Sequence, residues 1–316
     1  MTKLLNNIER TELPDYALNK KLPSDSYFTS TETAEKCYSI LQSVVKNDNA
    51  NIEDYTFIEP GAGNGSFYDL LNPSKRIGVD IVDRRDDIIT ADFLTWKPSD
   101  LSTKYITIGN PPFGVRGSIA LAFINRAFLF SDYVGFILPM SFDSNGKGST
   151  MKRVQNAHLI HSEILEQEKF HSPDIDAEIN INSLFQVWKR GPGQSIFKDY
   201  DVSEYADIRT VNDDPNRYCG MDLVDEYDFF ICSSCYGDTS IVFKFDDVKY
   251  RSGYGVLLKK SSNEIIEKLK KINWNDYCSL ATNSVKHIRR YHIEKALFDS
   301  GFGVESQGSP IDKFTK

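Results

Sequence analysis

Between positions 57 and 65 the chain reads Phe-Ile-Glu-Pro-Gly-Ala-Gly-Asn-Gly, an apolar strand pattern that runs into three glycines at alternate positions. Glycine reaches positive φ at no steric cost and lets the backbone approach a ligand closely. A strand ending on such a turn belongs in an open α/β sheet, where ligands lie beyond the carboxyl ends of the strands. The surrounding pattern agrees. Apolar runs at 76–80, 88–91, 105–108 and 133–138 are strand candidates. They alternate with helix candidates at 29–45, from 66 to 71, and at 119–130. Thr29 and Glu32 have capping-box spacing, and Ala34, Cys37, Tyr38, Leu41 and Val45 share one helical face. The pattern predicts a Rossmann-like core, a mainly parallel twisted sheet with helices on both faces. Residues 179–188 add a long strand or strand pair at its edge, with Phe185, Val187 and Trp188 in the core.

The pattern changes after Gly191-Pro192-Gly193, which reads as a linker. We expect a first domain over 1–192, a smaller α+β domain over 193–300 and a flexible tail over 301–316. In the second domain, 228–232 and 241–245 resemble a hairpin around Tyr236-Gly237-Asp238. Residues 261–272 read as an amphipathic helix boxed by Ser261 and Glu264, and Lys286, His287, Arg289, Arg290 and His292 as a basic run on another helix.

With 316 residues, 40% of them hydrophobic, the chain can bury one full core and a smaller second one. No apolar run approaches the length of a membrane span, so no membrane partner is expected. Residues 1–21 are polar and mixed in charge, unlike a secretory signal. Five cysteines, an odd number, suit reduced thiols and a cytoplasmic setting. The net charge of -8 does not advertise a nucleic-acid binder. It is uneven, however: residues 244–295 hold twelve Lys/Arg against six Asp/Glu, with His287 and His292 beside them.

At the glycine turn, Glu59, Pro60, Gly61, Ala62 and Gly63 are candidate ligand contacts. Asp80, seventeen residues beyond Gly63, ends the next strand, where an acid can accept both hydroxyls of a ribose. Ile81 follows it, and Asp92-Phe93, after the third strand, suits an adenine amine and ring face. A nicotinamide dinucleotide competes for this pattern, but its pyrophosphate needs the spacing Gly-x-Gly-x-x-Gly at a helix N-terminus. Here the glycines are 61, 63 and 65, and Glu59 would repel a pyrophosphate while suiting a cationic amino-acid ligand. S-adenosylmethionine is therefore the expected cofactor. The bland alternative is that Asp80 and Asp92 only cap loops.

Asn110-Pro111-Pro112-Phe113 follows the strand at 105–108. Alone, Asn-Pro marks a turn. At the end of a fourth strand it has a chemical reading. An aromatic amine is a poor nucleophile because its lone pair is delocalised into the ring. The Asn110 carboxamide oxygen and the Pro111 carbonyl can each accept one N–H and draw the nitrogen toward tetrahedral geometry. The two prolines hold this acceptor pair rigid, and Phe113 offers a stacking face. No general base is needed, and no Ser/His/Asp or Cys/His constellation stands against this.

These residues resemble those of the adenine-N6 DNA methyltransferases. Residues 59–65, Asp80, Asp92-Phe93 and Asn110–Phe113 match that family's glycine loop, ribose acid, adenine pair and catalytic motif. Tyr27-Phe28-Thr29-Ser30 resembles its first motif, with Ser30 where Pro is commoner. Tyr27 and Thr29 thereby join the cofactor contacts. The order, with the extra domain last, is that of the γ class. The resemblance covers about residues 25–190 and implies site-specific methylation of adenine N6, DNA preferred over RNA, with a restriction-modification context. The same tetrapeptide serves RNA adenine-N6 enzymes and protein-glutamine methyltransferases, though the glutamine enzymes place their extra domain before the core. A non-catalytic S-adenosylmethionine- or nucleic-acid-binding module is a further alternative.

Lys286, Arg289 and Arg290, and Lys147, Lys152 and Arg153 in a loop on the expected active-site side, are candidate nucleic-acid contacts, each balanced by a reading as plain surface. Cys232-Ser-Ser-Cys235 has half-zinc-site spacing, but no second such pair exists, so no metal is expected.

Overall fold

The computed structural model describes residues 27–143, 149–172, 177–235, 237–280 and 285–306. They form two compact units, one of residues up to 142 and 149–196, the other of residue 143 and 197–306.

The first unit is built on one eight-stranded sheet: β1 (Phe28–Thr29), β2 (Thr56–Pro60), β3 (Arg76–Asp80), β4 (Ile89–Thr90), β5 (Tyr105–Gly109), β6 (Ser131–Pro139), β7 (Ala157–Ser172) and β8 (Ala177–Arg190). Its order is β1-β7-β8-β6-β5-β2-β3-β4. The five strands from β4 to β6 are parallel, with Ile58 of β2 paired to Ile77 on one side and Thr107 on the other. β8, β7 and β1 are each antiparallel to their neighbours. Central strands buried on both faces read as unbroken apolar runs, and all five residues of β5 are buried. The expected Rossmann-like core is what forms.

Chain order reverses between β2 and β5. From β2 the chain steps outward through β3 and β4, and from β5 it steps the other way to β6. Such a switch point opens a crevice at the carboxyl ends of the two strands. The glycine turn leaves β2 there, and Asn110 leaves β5 there.

Helix α1 (Thr31–Asn47) buries Ala34, Cys37, Leu41 and Val45 in a core that includes Phe57, Ile106, Phe185 and Val187. Its cap is Ser30, whose hydroxyl accepts from the Thr33 amide at 3.1 Å, not Thr29 as the box spacing suggests. Thr29 belongs to β1 and uses its hydroxyl elsewhere. Helix α2 (Ser118–Ala127) follows the tetrapeptide. The helix expected from residue 66 is a single 3-10 turn, Tyr68–Leu70. Strand β7 was not expected. Its Leu159 and Leu165 are fully buried, while His161 and Glu163 are half-exposed, which hides the strand period.

The second unit carries β9 (Asp199–Asp201), β10 (Ala206–Asn212), β11 (Phe229–Cys232), β12 (Ser234–Cys235), β13 (Ile241–Val242), β14 (Ser252–Leu258), β15 (Ser279–Leu280), β16 (Lys286–His287) and β17 (Val304–Ser306). Its largest sheet runs β10-β14-β11-β13. Helices α3 (Ser262–Leu269) and α4 (Arg290–Asp299) place Ile265, Leu269, Ile293 and Leu297 in one core with Phe229, Ile231, Val256 and Trp274. The expected pairing of β11 with β13 forms. Ser261, however, precedes the helix at φ +54°, in the left-handed region rather than the extended one a capping serine adopts, and makes no capping bond. The basic run does not share one helix face either: Lys286 and His287 are strand, and only Arg290 onward is helical. Residues 304–306 pair with β9, so the chain is still structured where a tail was expected.

Candidate functional site

Backbone conformation defines the first loop. Gly61, Gly63 and Gly65 have φ of +63°, +55° and +88°, the region that disfavours side chains. A Cβ at Gly63 would lie 2.9 Å from the Phe28 ring, and a side chain at Gly65 would run into Arg85. The loop is held from three sides. The Gly61 amide donates to the Val79 carbonyl at 2.8 Å. The Ser66 hydroxyl donates to the Thr29 carbonyl at 2.6 Å. Arg85 donates to the Asn64 carbonyl at 3.0 Å and to Asp69 at 2.7 Å.

Glu59 is buried, 3% exposed, and faces away from any solvent ligand. Its carboxylate accepts from the amides of Phe67 at 3.3 Å and Tyr68 at 2.6 Å. Burial pushes this carboxyl up to about 8, against the lowering effect of the two amides. Its place in the fold is thus to clamp the segment after the glycine turn.

Asp80 ends β3 and is also buried. One carboxylate oxygen accepts from the Gly63 amide at 2.7 Å and the other from the Val82 amide at 2.8 Å. Asp80 thus caps the turns around it, and each carboxylate oxygen can still accept more than one donor. Beside it Ile81 is 70% exposed and Val82 45%, an apolar pair in solvent next to a buried acid.

The 92–96 loop differs from expectation. Asp92 accepts from the Leu94 amide at 2.9 Å. Phe93 is a core residue whose ring meets Trp96, Phe123 and Phe130 at centroid distances of 6.1, 5.1 and 6.0 Å. The ring face expected for an adenine is occupied by these neighbours. The loop is anchored by Arg126 of α2, fully buried, which donates to the carbonyls of Thr95 at 2.6 Å and Trp96 at 2.9 Å. Burial pushes the Arg126 guanidinium down, opposed by the charge of Asp92. Neither Arg126 nor Arg85 stood out in the sequence, because an arginine that ties loops together carries no spacing signature.

The second loop meets the first. Pro112 lies beside Gly61, 3.7 Å from where its Cβ would be. Asn110 is the centre of this contact. Its amide nitrogen donates to the Tyr27 carbonyl at 3.3 Å and to the Thr29 hydroxyl at 3.2 Å. Its carboxamide oxygen is buried and has no partner among the described residues. Buried oxygens without donors are uncommon and call for an explanation. Tyr27 and Thr29, expected to touch the cofactor, hold the amide of Asn110 through the Tyr27 carbonyl and the Thr29 hydroxyl. The α2 N-terminus fixes the other end of the tetrapeptide: the amides of Ile119 and Ala120 donate to the Phe113 carbonyl at 3.1 and 3.3 Å.

Of the expected nucleic-acid contacts, Lys147 lies outside the described residues. Lys152 is exposed and Arg153 half-buried in a 3-10 turn, Met151–Arg153. In the second unit, Arg290 donates to Glu294 at 2.7 Å and Lys286 to Asn275 at 2.7 Å. Burial and the nearby Arg289 push His287 down, and His292 down to about 4, so neither adds charge at neutral pH. The Cys232 thiol donates to the carbonyls of Ser234 and Lys249 at 2.9 and 3.1 Å. No group of three metal-ligating side chains occurs among the described residues, and no described helix is long and apolar enough to cross a membrane.

Fold and site together define a doubly wound α/β protein with two rigid loops facing each other at its switch point. No protein-family model matches the chain, and no curated protein sequence matches it. Solved structures similar to it include a candidate RNA methyltransferase of Pyrococcus horikoshii, 17% identical over 60% of this chain and 95% of that one, TM-score 0.42. Another is the 23S rRNA methyltransferase ErmE, 15% identical over 52% of this chain and 70% of that one, TM-score 0.35. A third is the type IIG restriction endonuclease BpuSI, 14% identical over 61% of this chain and 28% of that one, TM-score 0.39.

Proposed function

We propose that the chain is an S-adenosylmethionine-dependent methyltransferase acting on the exocyclic N6 amine of adenine in DNA. The observation that carries this reading is the Asn110 carboxamide, whose donor end is tied to Tyr27 and Thr29 while its acceptor end is buried and unpartnered. A preorganised acceptor without a donor is suited to an N–H that arrives with substrate. The Pro111 carbonyl supplies a second acceptor, fixed between two prolines, and no donor among the described residues takes it. Two acceptors on one amine localise its lone pair and demand no general base.

The residues present fit the cofactor. Asp80 is buried at the end of β3 with acceptor capacity beyond its two amide bonds, which suits ribose hydroxyls. Exposed Ile81 supplies an apolar surface beside it, in place of the Phe93 ring that the core takes up. Gly61 and Gly63 keep the intervening surface free of side chains. When bound, S-adenosylmethionine supplies an electrophilic methyl group on a sulfonium. In a duplex the target base must leave the stack, at a cost of a few kcal/mol. The first unit would be the catalytic domain and the second the target-recognition domain.

The test is incubation with methyl-labelled S-adenosylmethionine and separate DNA, RNA and protein pools, then digestion to nucleosides and amino acids. Label in N6-methyldeoxyadenosine is the expected result. Label in N6-methyladenosine would move the substrate to RNA, label in glutamine would move it to protein, and no label in any pool would overturn the reading.

A further inference from the structure

We infer that Arg116 is a substrate-positioning residue that grips a phosphodiester of the nucleotide whose base is held at Asn110. The inference rests on the nucleic-acid reading above and names a residue that the sequence motifs pass over.

Arg116 lies three residues beyond Phe113 and two before α2. Its backbone is in the left-handed region, φ +54° and ψ +31°, where arginine is disfavoured. Residues held this way persist when their surroundings over-determine them, and such strain gathers at ligand clamps. Here the surroundings do so. Gly114 and Gly117 flank it at φ +68° and +75°, and a Cβ on Gly114 would come within 2.5 Å of Ile119. The Arg116 carbonyl accepts from the hydroxyls of Thr150 at 3.2 Å and Ser141 at 3.4 Å. The chain thus spends two glycines and two hydroxyls to hold one arginine in an unfavourable conformation.

That side chain is exposed, and among the described residues its guanidinium makes no hydrogen bond or ion pair. Most other arginines of this unit are spent: Arg85 on Asp69 and Asp87, Arg126 on carbonyls, Arg190 on the Ser131 carbonyl. Arg153 reaches the same Thr150 hydroxyl with its guanidinium at 3.2 Å, and exposed Lys152 lies in that turn, so Arg116 sits in a local basic cluster on an otherwise acidic chain. A planar guanidinium fork matches phosphate oxygens in a two-point contact. Through the α2 amides that hold the Phe113 carbonyl, Arg116 is joined rigidly to the tetrapeptide. A phosphate held there fixes the position of the attached base relative to Asn110.

The full chain would be compared with Arg116→Gly and Arg116→Lys. Binding of mixed-sequence DNA and RNA oligonucleotides would be followed over a salt series, with thermal melting and S-adenosylmethionine calorimetry alongside. Arg116→Gly should weaken oligonucleotide binding roughly ten- to hundredfold at low salt. It should also reduce the slope of log affinity against log salt by about one unit. Melting should hold or rise, since glycine accepts this φ, and cofactor affinity should be unchanged. Arg116→Lys should keep the salt slope and lose only part of the affinity. Wild-type affinity and slope in Arg116→Gly would overturn the inference and leave Arg116 a turn residue. Binding does not require turnover, so a wild type that binds but methylates no pool would sink the proposed function and leave this result standing. A wild type that binds neither polymer would overturn both.

Discussion

In the second unit many cations are paired with acids. Arg251 meets Asp213 and Asp246, Lys260 meets Glu204, Lys268 meets Glu264, Lys270 meets Glu267, Arg290 meets Glu294 and Lys295 meets Asp299. The segment 110–118 of the first unit does the reverse. Among the described residues it leaves a buried carboxamide oxygen, a buried Ser118 hydroxyl and an exposed guanidinium without partners. By count of basic residues, the stretch 244–295 is the more basic, and its Lys286, Arg289 and Arg290 read either as phosphate contacts or as plain surface. By pairing, unpartnered polar groups among the described residues include three next to the switch point, on Asn110, Arg116 and Ser118. The contrast teaches that a charge census in sequence measures supply, while a site is marked by what the fold leaves unspent.

The sharpest way to break that contrast is to remove the unspent acceptor. Asn110→Ala deletes an oxygen that has no partner among the described residues, so the fold loses only the bonds to Tyr27 and Thr29. Turnover should fall by about two to three orders of magnitude, as when one preorganised transition-state hydrogen-bond partner is lost. Cofactor affinity measured by calorimetry should be largely retained. Near wild-type turnover would mean that the orphaned oxygen is an accident of packing.

How much of this was legible in the chain depended on the range of the interaction. Strand β3, and β2, β5 and β6 to within a residue or two, could be read because a buried parallel strand is a continuous apolar run ended by Gly, Pro or Asp. The switch point was not legible, because the adjacency of β2 and β5 is a matter of sheet order, which the chain order of the runs does not fix. The cap of α1 was misplaced by one residue because Thr29 and Ser30 are equally good caps locally, and only the distant Asn110 decides which hydroxyl is free. Strand β7 was illegible because its polar side chains are tolerated on a half-exposed face, and β8 and β1 supply its ladder. Phe93 was assigned to a ligand because nothing local reveals that Trp96, Phe123 and Phe130 converge on it. The Arg116 carbonyl clamp joins residues 25 and 34 positions apart, and no spacing rule reaches that far.

Glu59 sharpens the comparison from the other side, as an ionisable group the first unit has fully committed to its own amides. Its carboxyl lies at about 8 in the fold against an ordinary 4.5. Between those values the native state binds more protons than the unfolded chain, so stability should fall as pH rises through the window and level off above it. The slope cannot exceed about 1.4 kcal/mol per pH unit from one group. Glu59→Gln cannot ionise, so urea titrations of the variant across pH 4.5 to 8 should lack this component. An identical pH dependence in both proteins would show that Glu59 ionises normally.

Asp80 is intermediate, because it both caps and is proposed to bind. Asp80→Ala should weaken S-adenosylmethionine and its demethylated product alike, by about 1–3 kcal/mol. The loss of the caps on Gly63 and Val82 should also lower the melting temperature. Unchanged calorimetric affinity with a lowered melting temperature would leave Asp80 as a loop cap alone.

The smallest effect is expected where the sequence placed the largest patch. In Arg289→Ala/Arg290→Ala, only Arg289 is a cation without a hydrogen-bonded carboxylate, since Arg290 already donates to Glu294 and to the Ile208 carbonyl. The neighbouring histidines are neutral near pH 7, and Lys286 is turned to Asn275. Removing Arg290 therefore frees an acid as well as deleting a base, and the local field changes by less than the two charges suggest. An exposed pair of this i,i+4 kind contributes about 0.3–0.5 kcal/mol to stability. The salt slope of oligonucleotide binding should change by less than the roughly one unit expected of a true phosphate contact. The informative measurement is the ratio of the two effects, the Arg289/Arg290 double variant against Arg116→Gly under the same salts. A larger loss in the double variant would return the phosphate surface to the second unit, and the pairing of its cations in the free protein would then have to open on binding.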